Sequence, residues 1–430
     1  MEMGKLRNEF VPLSPNYHSP MKILVVVDSI NVNDSSGSKA NVALIQNLTA
    51  CGFEVRVLHY TQKEISLIGA TCVAVPEKKW NLLYLLSRTE RLFTRFTKIN
   101  LNPYLENWFG FSFTFFNDSN SIAAVIQKQN DFQADLVLTL SKGASFRSHH
   151  ALLQVPELHS KWMAYVHDPY PFHFYPRPYN WVEPGYYKKQ EFFRLVSKRA
   201  RYSAFPSQLL KEWMGSYFPD FLRTGVLIPH QISDYQLQDT TFPSFFTPEK
   251  FTLFHAGNLM KQRDPIFLIQ AFERFLENNP ESKEQSQLIL VGSHDYHKEV
   301  LEKYKKHDAI YIGDNMPFDV VFNVQKNASV NVILESKAEI SPFLPGKFPH
   351  CVQANKPILL LSPYYSETRR LLGEDYLYWS EVDDLTKIEE IITTMYAAWK
   401  EKNGIFELNR PDLIDYLSVE RLKETLTTLQ

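Results

Sequence analysis

From Met21 to Asp28 the chain reads Met-Lys-Ile-Leu-Val-Val-Val-Asp, a short apolar run rich in β-branched residues. Such a run, without polar alternation, is the pattern of a strand covered on both faces, as strands of parallel sheets are. A polar stretch from Ser29 to Lys39 follows and contains Gly37. Ala40 to Thr49 carries a helical period, Gly52 stands where a helix C-cap would, and Phe53 to Leu58 is a second strand. Strand, loop, helix and strand in this order make a unit of the doubly wound α/β type.

The same grammar recurs. Strands are expected at Ala134 to Leu140, Lys161 to His167, Tyr202 to Phe205 and Val226 to Pro229. A second series opens with a strand at Phe251 to Ala256, a loop at Gly257 to Asp264 and a helix at Pro265 to Asn278. Further strands fall at Leu288 to Val291, Ile310 to Ile312, Val330 to Leu334 and Pro357 to Leu361. The expected fold is α/β: two tandem Rossmann-like domains, each a doubly wound parallel sheet, facing a crevice. The divisions are a tail over residues 1–20, a first domain over 21–235, a linker over 236–248, a second domain over 249–410, and a final helix within 411–430 returning toward the first domain. The crevice is the expected ligand site, because strand carboxyl ends and helix N-termini converge there.

Composition narrows the function. With 44% hydrophobic and 22% charged residues, the chain of 430 residues can bury the core of two or three domains. Its 46 Lys and Arg against 48 Asp and Glu give no global electrostatic case for nucleic acid. Cys51, Cys72 and Cys351 make neither a disulfide framework nor a zinc spacing, so a reducing compartment, the cytoplasm, is the expectation. No apolar run approaches the roughly 20 residues of a spanning helix. The first twenty residues, with Pro12, Pro15 and Pro20, lack the apolar block of a secretory signal. The 31 Phe, 22 Tyr and 7 Trp suit stacking on bases and sugar faces as well as core filling.

Two loops of the second half read as anion sites. In Phe254-His-Ala-Gly-Asn-Leu-Met-Lys-Gln-Arg-Asp-Pro265 a strand ends in Gly257, Lys261 and Arg263 follow, and a helix starts at the proline. Backbone N–H groups at a helix start favour an anion, and an arginine can grip a phosphate with two parallel hydrogen bonds. Ser341-Pro-Phe-Leu-Pro-Gly-Lys-Phe-Pro-His350 gives a second helix start beside Lys347. Two such loops can hold the two phosphates of a diphosphate. In the first half, His167 and Asp168 stand at a strand's carboxyl end before a loop of prolines and aromatics. Lys142, Arg147, His149 and His150 form a looser cluster without an assigned role. From Leu85 to Ile99, Arg88, Arg91, Arg95 and Lys98 share one helical face and Leu85, Leu92, Phe93, Phe96 and Ile99 another. A basic amphipathic helix of this kind either packs its apolar side on its own protein or lies on an anionic membrane surface.

Several signatures are missing. The chain has no Gly-x-Gly-x-x-Gly, no P-loop and no Gly-x-Ser-x-Gly. It also has no Asp-x-Asp, the carboxylate pair on which a metal bridging a nucleotide diphosphate often relies. Cationic side chains are then expected to neutralise a diphosphate, with no metal and no cofactor.

At this point the residues resemble a family, the GT-B-fold glycosyltransferases of the family 4 kind, from about Met21 onward. Ser36-Gly-Ser-Lys-Ala-Asn41, followed by Gly52-Phe-Glu-Val55, looks like the family's glycine loop and second strand. His255-Ala-Gly-Asn-Leu-Met-Lys-Gln-Arg263 is similar to the motif that opens its donor domain. Pro345-Gly-Lys-Phe-Pro-His350, leading to Lys356-Pro-Ile358, is similar to its donor-binding helix. Asn258 stands where the family has an arginine and Arg263 where it has a lysine, with Lys261 nearby to compensate. Of the usual glutamate pair, Pro342 takes the first place and His350 the second, where a histidine could still bond a hydroxyl.

The resemblance implies a transferase that moves a sugar from a nucleotide-diphosphate donor to a glycan or lipid-linked acceptor with retention of configuration. The implied setting is envelope polysaccharide or glycoconjugate synthesis, at the inner face of the membrane. Arg263 and Lys347 would stabilise the leaving diphosphate. Gly37, Gly257, Asn258, Lys261, Ser341, Gly346 and His350 would line the donor. His167 would position substrate, and Asp168 would orient His167 or meet the acceptor. Two rivals stay open: a sugar-nucleotide epimerase, and a non-catalytic module that binds a sugar nucleotide or glycan.

Overall fold

The computed structural model describes residues 20–143, 145–232 and 241–429. All of the expected tail except Pro20, and the first part of the expected linker, lie outside these residues. The strands in chain order are β1 (Lys22–Val27), β2 (Glu54–His59), β3 (Ala70–Ala74), β4 (Leu136–Leu140), β5 (Trp162–Tyr165), β6 (Tyr202–Phe205) and β7 (Gly225–Leu227). They continue with β8 (Phe251–Ala256), β9 (Ser286–Val291), β10 (Ile310–Gly313), β11 (Val330–Leu334), β12 (Ile340–Ser341), β13 (Ile358–Leu361), β14 (Tyr365–Ser366) and β15 (Trp379–Ser380).

Two large sheets result, in the orders β3-β2-β1-β4-β5-β6-β7 and β10-β9-β8-β11-β13-β15. Every pairing in them is parallel, from β1 with β2 to β13 with β15. Each sheet grows first to one side of its opening strand and then to the other. The order therefore reverses between β1 and β4 and again between β8 and β11, and helix N-termini open outward at such points. Strands β12 and β14 pair as a small separate ribbon.

Apolar strands follow from burial on both faces. Ile23, Val25 and Val27 pack with Ile45 and Leu48 of the helix Ser36–Ala50, whereas Leu24 and Val26 point to Phe146, Trp162 and Phe193. That helix starts four residues before the expected Ala40. The extended Ser35 accepts a hydrogen bond from the Ser38 N–H and caps it from inside the polar run. In the second sheet, Leu253, Leu288, Leu290 and Val332 face Phe272, Ile392 and Met395.

The closing helix Val419–Thr427 lays Leu422 and Leu426 on the first sheet's core. Tyr202 donates its hydroxyl hydrogen to the Leu429 carbonyl at 2.6 Å. The two halves also meet directly. The buried Glu367 carboxylate accepts the backbone N–H groups of Gln208 and Leu209, each at 3.2 Å, at the start of the helix Gln208–Tyr217. The Ser207 hydroxyl, which caps that helix, donates to the Pro342 carbonyl.

Candidate functional site

In the second half the site starts at the carboxyl end of β8. His255 is buried and Gly257 follows with φ +152°. Gly292, after β9, backs this turn: a Cβ there would lie 2.3 Å from the Gly257 carbonyl oxygen. Only glycine allows that approach. Asn258 is exposed and its amide oxygen accepts the Ser293 N–H at 3.2 Å, so it ties the two turns together.

Lys347 reaches into the same place. Its Nζ lies 2.9 Å from His255 Nδ1 and 3.1 Å from the Val332 carbonyl oxygen in the middle of β11. Burial lowers Lys347 to about 7; the Arg263 guanidinium pushes the same way, while Cys351 and Glu335 oppose it. Burial, with the Lys347 charge, also holds His255 well below its ordinary value, so its ring is neutral. A charged Lys347 donates to Nδ1 and leaves the His255 proton on Nε2, beside the Gly257 backbone.

Arg263 is half-buried, and its enclosed Nε has no hydrogen-bond partner among the described residues. Its charge acts on Asp168, His255, Glu335 and Lys347 together. It thus joins the two halves electrostatically. Lys261 is exposed. Gly346 is exposed too, and a Cβ there would meet nothing within 4 Å, so no close approach demands glycine. Ser341 is buried and bonds the Glu335 carboxylate. Its hydroxyl therefore serves a protein group in place of the expected phosphate.

His350 packs its ring edge-on to Phe318 at 4.8 Å. Burial and the Lys39 charge lower it to about 4. The Lys39 ammonium comes from the helix Ser36–Ala50 of the opposite half and lies 6.0 Å from the Phe318 ring centre. Gly37, in the first turn of that helix, faces Lys142 and Gly143 at ordinary contact distance.

In the first half, His167 follows β5 and is buried. Its Nε2 lies 2.9 Å from Asn41 Oδ1. The Asn41 amide nitrogen donates to the Ser141 carbonyl at 3.0 Å, which fixes the amide's orientation. The oxygen therefore faces His167, so Nε2 carries the proton and Nδ1 is bare. Burial, with the His230 and His149 rings nearby, keeps His167 neutral. The orienting partner expected in Asp168 is thus Asn41. Asp168 instead bonds the Tyr175 hydroxyl and feels Arg263, while burial raises it to about 6.

No protein-family model and no curated protein matches the chain. Solved structures do. An α,α-trehalose-phosphate synthase (UDP-forming) from Burkholderia vietnamiensis superposes with a TM-score of 0.61 at 11% identity, covering 96% of this chain and 98% of the other. Anabaena HepE, in complex with UDP and glucose, gives 0.57 at 12%, covering 95% and 99%. WaaG, a glycosyltransferase involved in lipopolysaccharide biosynthesis, gives 0.54 at 11%, covering 94% and 98%. The chain has the GT-B fold.

Within that GT-B frame the sequence reading left three residues without a role. Glu335, directly after β11, is buried and accepts from Thr368 at 2.6 Å and Ser366 at 3.1 Å. Burial raises it, against those hydroxyls and Arg263. Two of its three hydroxyl partners lie more than thirty residues on, and the third is Ser341. Asn41 and His255 lay inside quoted motifs, yet only the packed structure shows which atoms they meet. The unassigned cluster also resolves. Arg147 bridges Asp28 at 3.3 Å and Asp118 at 2.9 Å, and His149 is buried against the Tyr165 carbonyl at 3.2 Å.

Proposed function

We propose that this chain is a glycosyltransferase that binds a nucleotide-diphosphate-sugar between its halves and moves the sugar to a glycan or lipid-linked acceptor. One observation carries the reading. Arg263 and Lys347 are enclosed together closely enough that Arg263 helps lower Lys347 to about 7. Lys347 uses two of its three N–H groups on an imidazole and a carbonyl, and Arg263 Nε has no partner among the described residues. Two neighbouring cations held this way are completed by an anion, and a diphosphate brings two negative groups.

The roles follow from the chemistry. Negative charge grows on the diphosphate as the sugar leaves, and fixed cations stabilise it most in the transition state. Arg263 can grip it with two parallel bonds and Lys347 acts as a point charge. These two cations are the basis for the metal-independent reading. His167 offers a bare Nδ1 to a sugar hydroxyl, in a ring position set by Asn41. Asp168, raised to about 6 at the meeting of the halves, is placed for an acceptor hydroxyl. Retention of configuration and a role in envelope polysaccharide synthesis rest on the family resemblance alone.

Two of the similar structures carry UDP in their names, so UDP-sugars are the first donors to try. Calorimetry with UDP-, GDP- and ADP-sugars, with and without chelator, tests the donor site. One donor should bind with chelator present, and Arg263→Ala should weaken it by about ten- to a hundredfold. Equal binding by wild type and Arg263→Ala would remove Arg263 from the site. Donor binding without transfer to any of a wide acceptor panel would favour the non-catalytic module, and a new sugar nucleotide formed from donor alone would favour the epimerase.

A further inference from the structure

We propose that the helix Leu82–Thr97 and the segment after it form a docking face for an anionic lipid bilayer. The helix packs on its neighbour Phe113–Ile126 in an unusual sense. Its protein-facing line is mostly polar: Ser87 and Glu90 are buried, Thr94 and Leu83 are half-buried, and Glu90 accepts the Thr94 hydroxyl at 3.3 Å. Asn81 and Arg91 bond Asn117 and Thr114 of the neighbouring helix at 2.9 and 3.0 Å. At 3.6 residues per turn, Leu85, Leu92 and Phe96 fall within about 40° of one another on the opposite side. A surface helix of a globular protein normally does the reverse, with its apolar stripe inward.

The outward face is large. Phe96 is 82% exposed, Trp80 83% and Trp108 71%, with Leu92 and Ile99 also exposed between them. Trp108 belongs to the next helix, Asn102–Phe109, which has no buried residue. Apolar side chains held in water by the fold gain free energy on entering an apolar phase. Tryptophans suit the boundary between headgroups and acyl chains.

Charge selects the occupant. Arg91, Arg95 and Lys98 are exposed beside the apolar stripe. Between Trp80 and Phe109 the acidic residues are Glu90 and Glu106. Glu90 is buried and Glu106 holds Lys189 at 2.8 Å. The exposed charge of this face is therefore positive, the complement of anionic lipid headgroups. An apolar centre flanked by cations is the pattern of a helix lying in a bilayer interface.

Flotation with vesicles of phosphatidylcholine alone, and with phosphatidylglycerol added, tests this on the full chain without donor or acceptor. Its failure therefore leaves the transferase reading intact, and the converse also holds. Wild type should float with the anionic vesicles. Leu92→Ser with Phe96→Ser should weaken that binding at least about tenfold, and Arg95→Glu with Lys98→Glu should abolish the preference for phosphatidylglycerol. Both double variants should melt as wild type does. Wild type remaining in the aqueous fraction, or either double variant floating as wild type does, would overturn the proposal. So would a dimer that Phe96→Ser dissociates in the absence of vesicle binding, which would assign the face to a second copy of the chain.

Discussion

Raising the pH should weaken donor binding, and the size of the effect follows from Lys347. In the free protein burial holds this lysine at about 7. Two unit charges about 4 Å apart at an effective dielectric of about 20 attract by about 4 kcal/mol, which is about three pK units. A bound diphosphate therefore returns Lys347 to about 10, near its ordinary value. Binding below pH 7 finds the ammonium already formed. Above pH 7 binding must take up a proton, so affinity falls by about tenfold per unit.

Between pH 6 and pH 8 the donor Kd should thus rise by about tenfold. Calorimetry in buffers of different ionisation enthalpy should show close to one proton taken up at pH 8. The diphosphate of a nucleotide-sugar does not titrate in this range. Asp168, at about 6, adds a smaller loss in the same direction that is nearly complete by pH 7. Lys347→Arg isolates the two, because a guanidinium stays charged and only the Asp168 part survives. A flat wild-type profile, or no proton uptake at pH 8, would refute the placement of Lys347 on the diphosphate.

Other outcomes follow from single contacts. Asn41→Leu should free the His167 ring and lower kcat by about ten- to a hundredfold with donor Kd unchanged; an unaltered kcat would show that the ring needs no such partner. Gly292→Ala puts a Cβ against the Gly257 carbonyl at a φ of +143°. It should cost about 2 to 4 kcal/mol in chemical denaturation, and a wild-type midpoint would contradict the close approach. Glu367→Ala strips the acceptor from two backbone N–H groups and from Arg370. Hydrogen exchange at residues 208 and 209 should rise sharply, and unchanged protection would mean that the halves meet without it.

Most strands of the two sheets were legible because they are covered on both faces and so read as unbroken apolar runs; β3, an edge strand with no buried residue, was not. Val25, Leu138, Leu288 and Leu360 all lie in such runs and are all buried. The short pieces were not legible. The ribbon of β12 and β14 has two residues per strand, and β15 is as short, too little for any period to show. Site residues divide the same way. Lys347 and Arg263 stand out because a cation beside Pro-Gly or before Asp-Pro is conspicuous in a chain. Glu335 gave no such sign, since two of its three hydroxyl partners, Ser366 and Thr368, come from a distant segment. The basic helix showed its basic and apolar faces in the sequence, but the line turned inward is a third one, through Ser87, Glu90 and Thr94. Asn81 and Arg91 bond Asn117 and Thr114 of the neighbour.

The bond from Ser207 to the Pro342 carbonyl has a mechanical consequence. Pro342 lies five residues before Lys347 on the same loop. The loop that carries Lys347 is thus moored to the half it does not belong to. A rotation that parts the halves must first slip this mooring, and the segment leading to Lys347 is then held only within its own half, through β12. In the proposed transferase, opening to release a nucleotide would also loosen the grip on its phosphates.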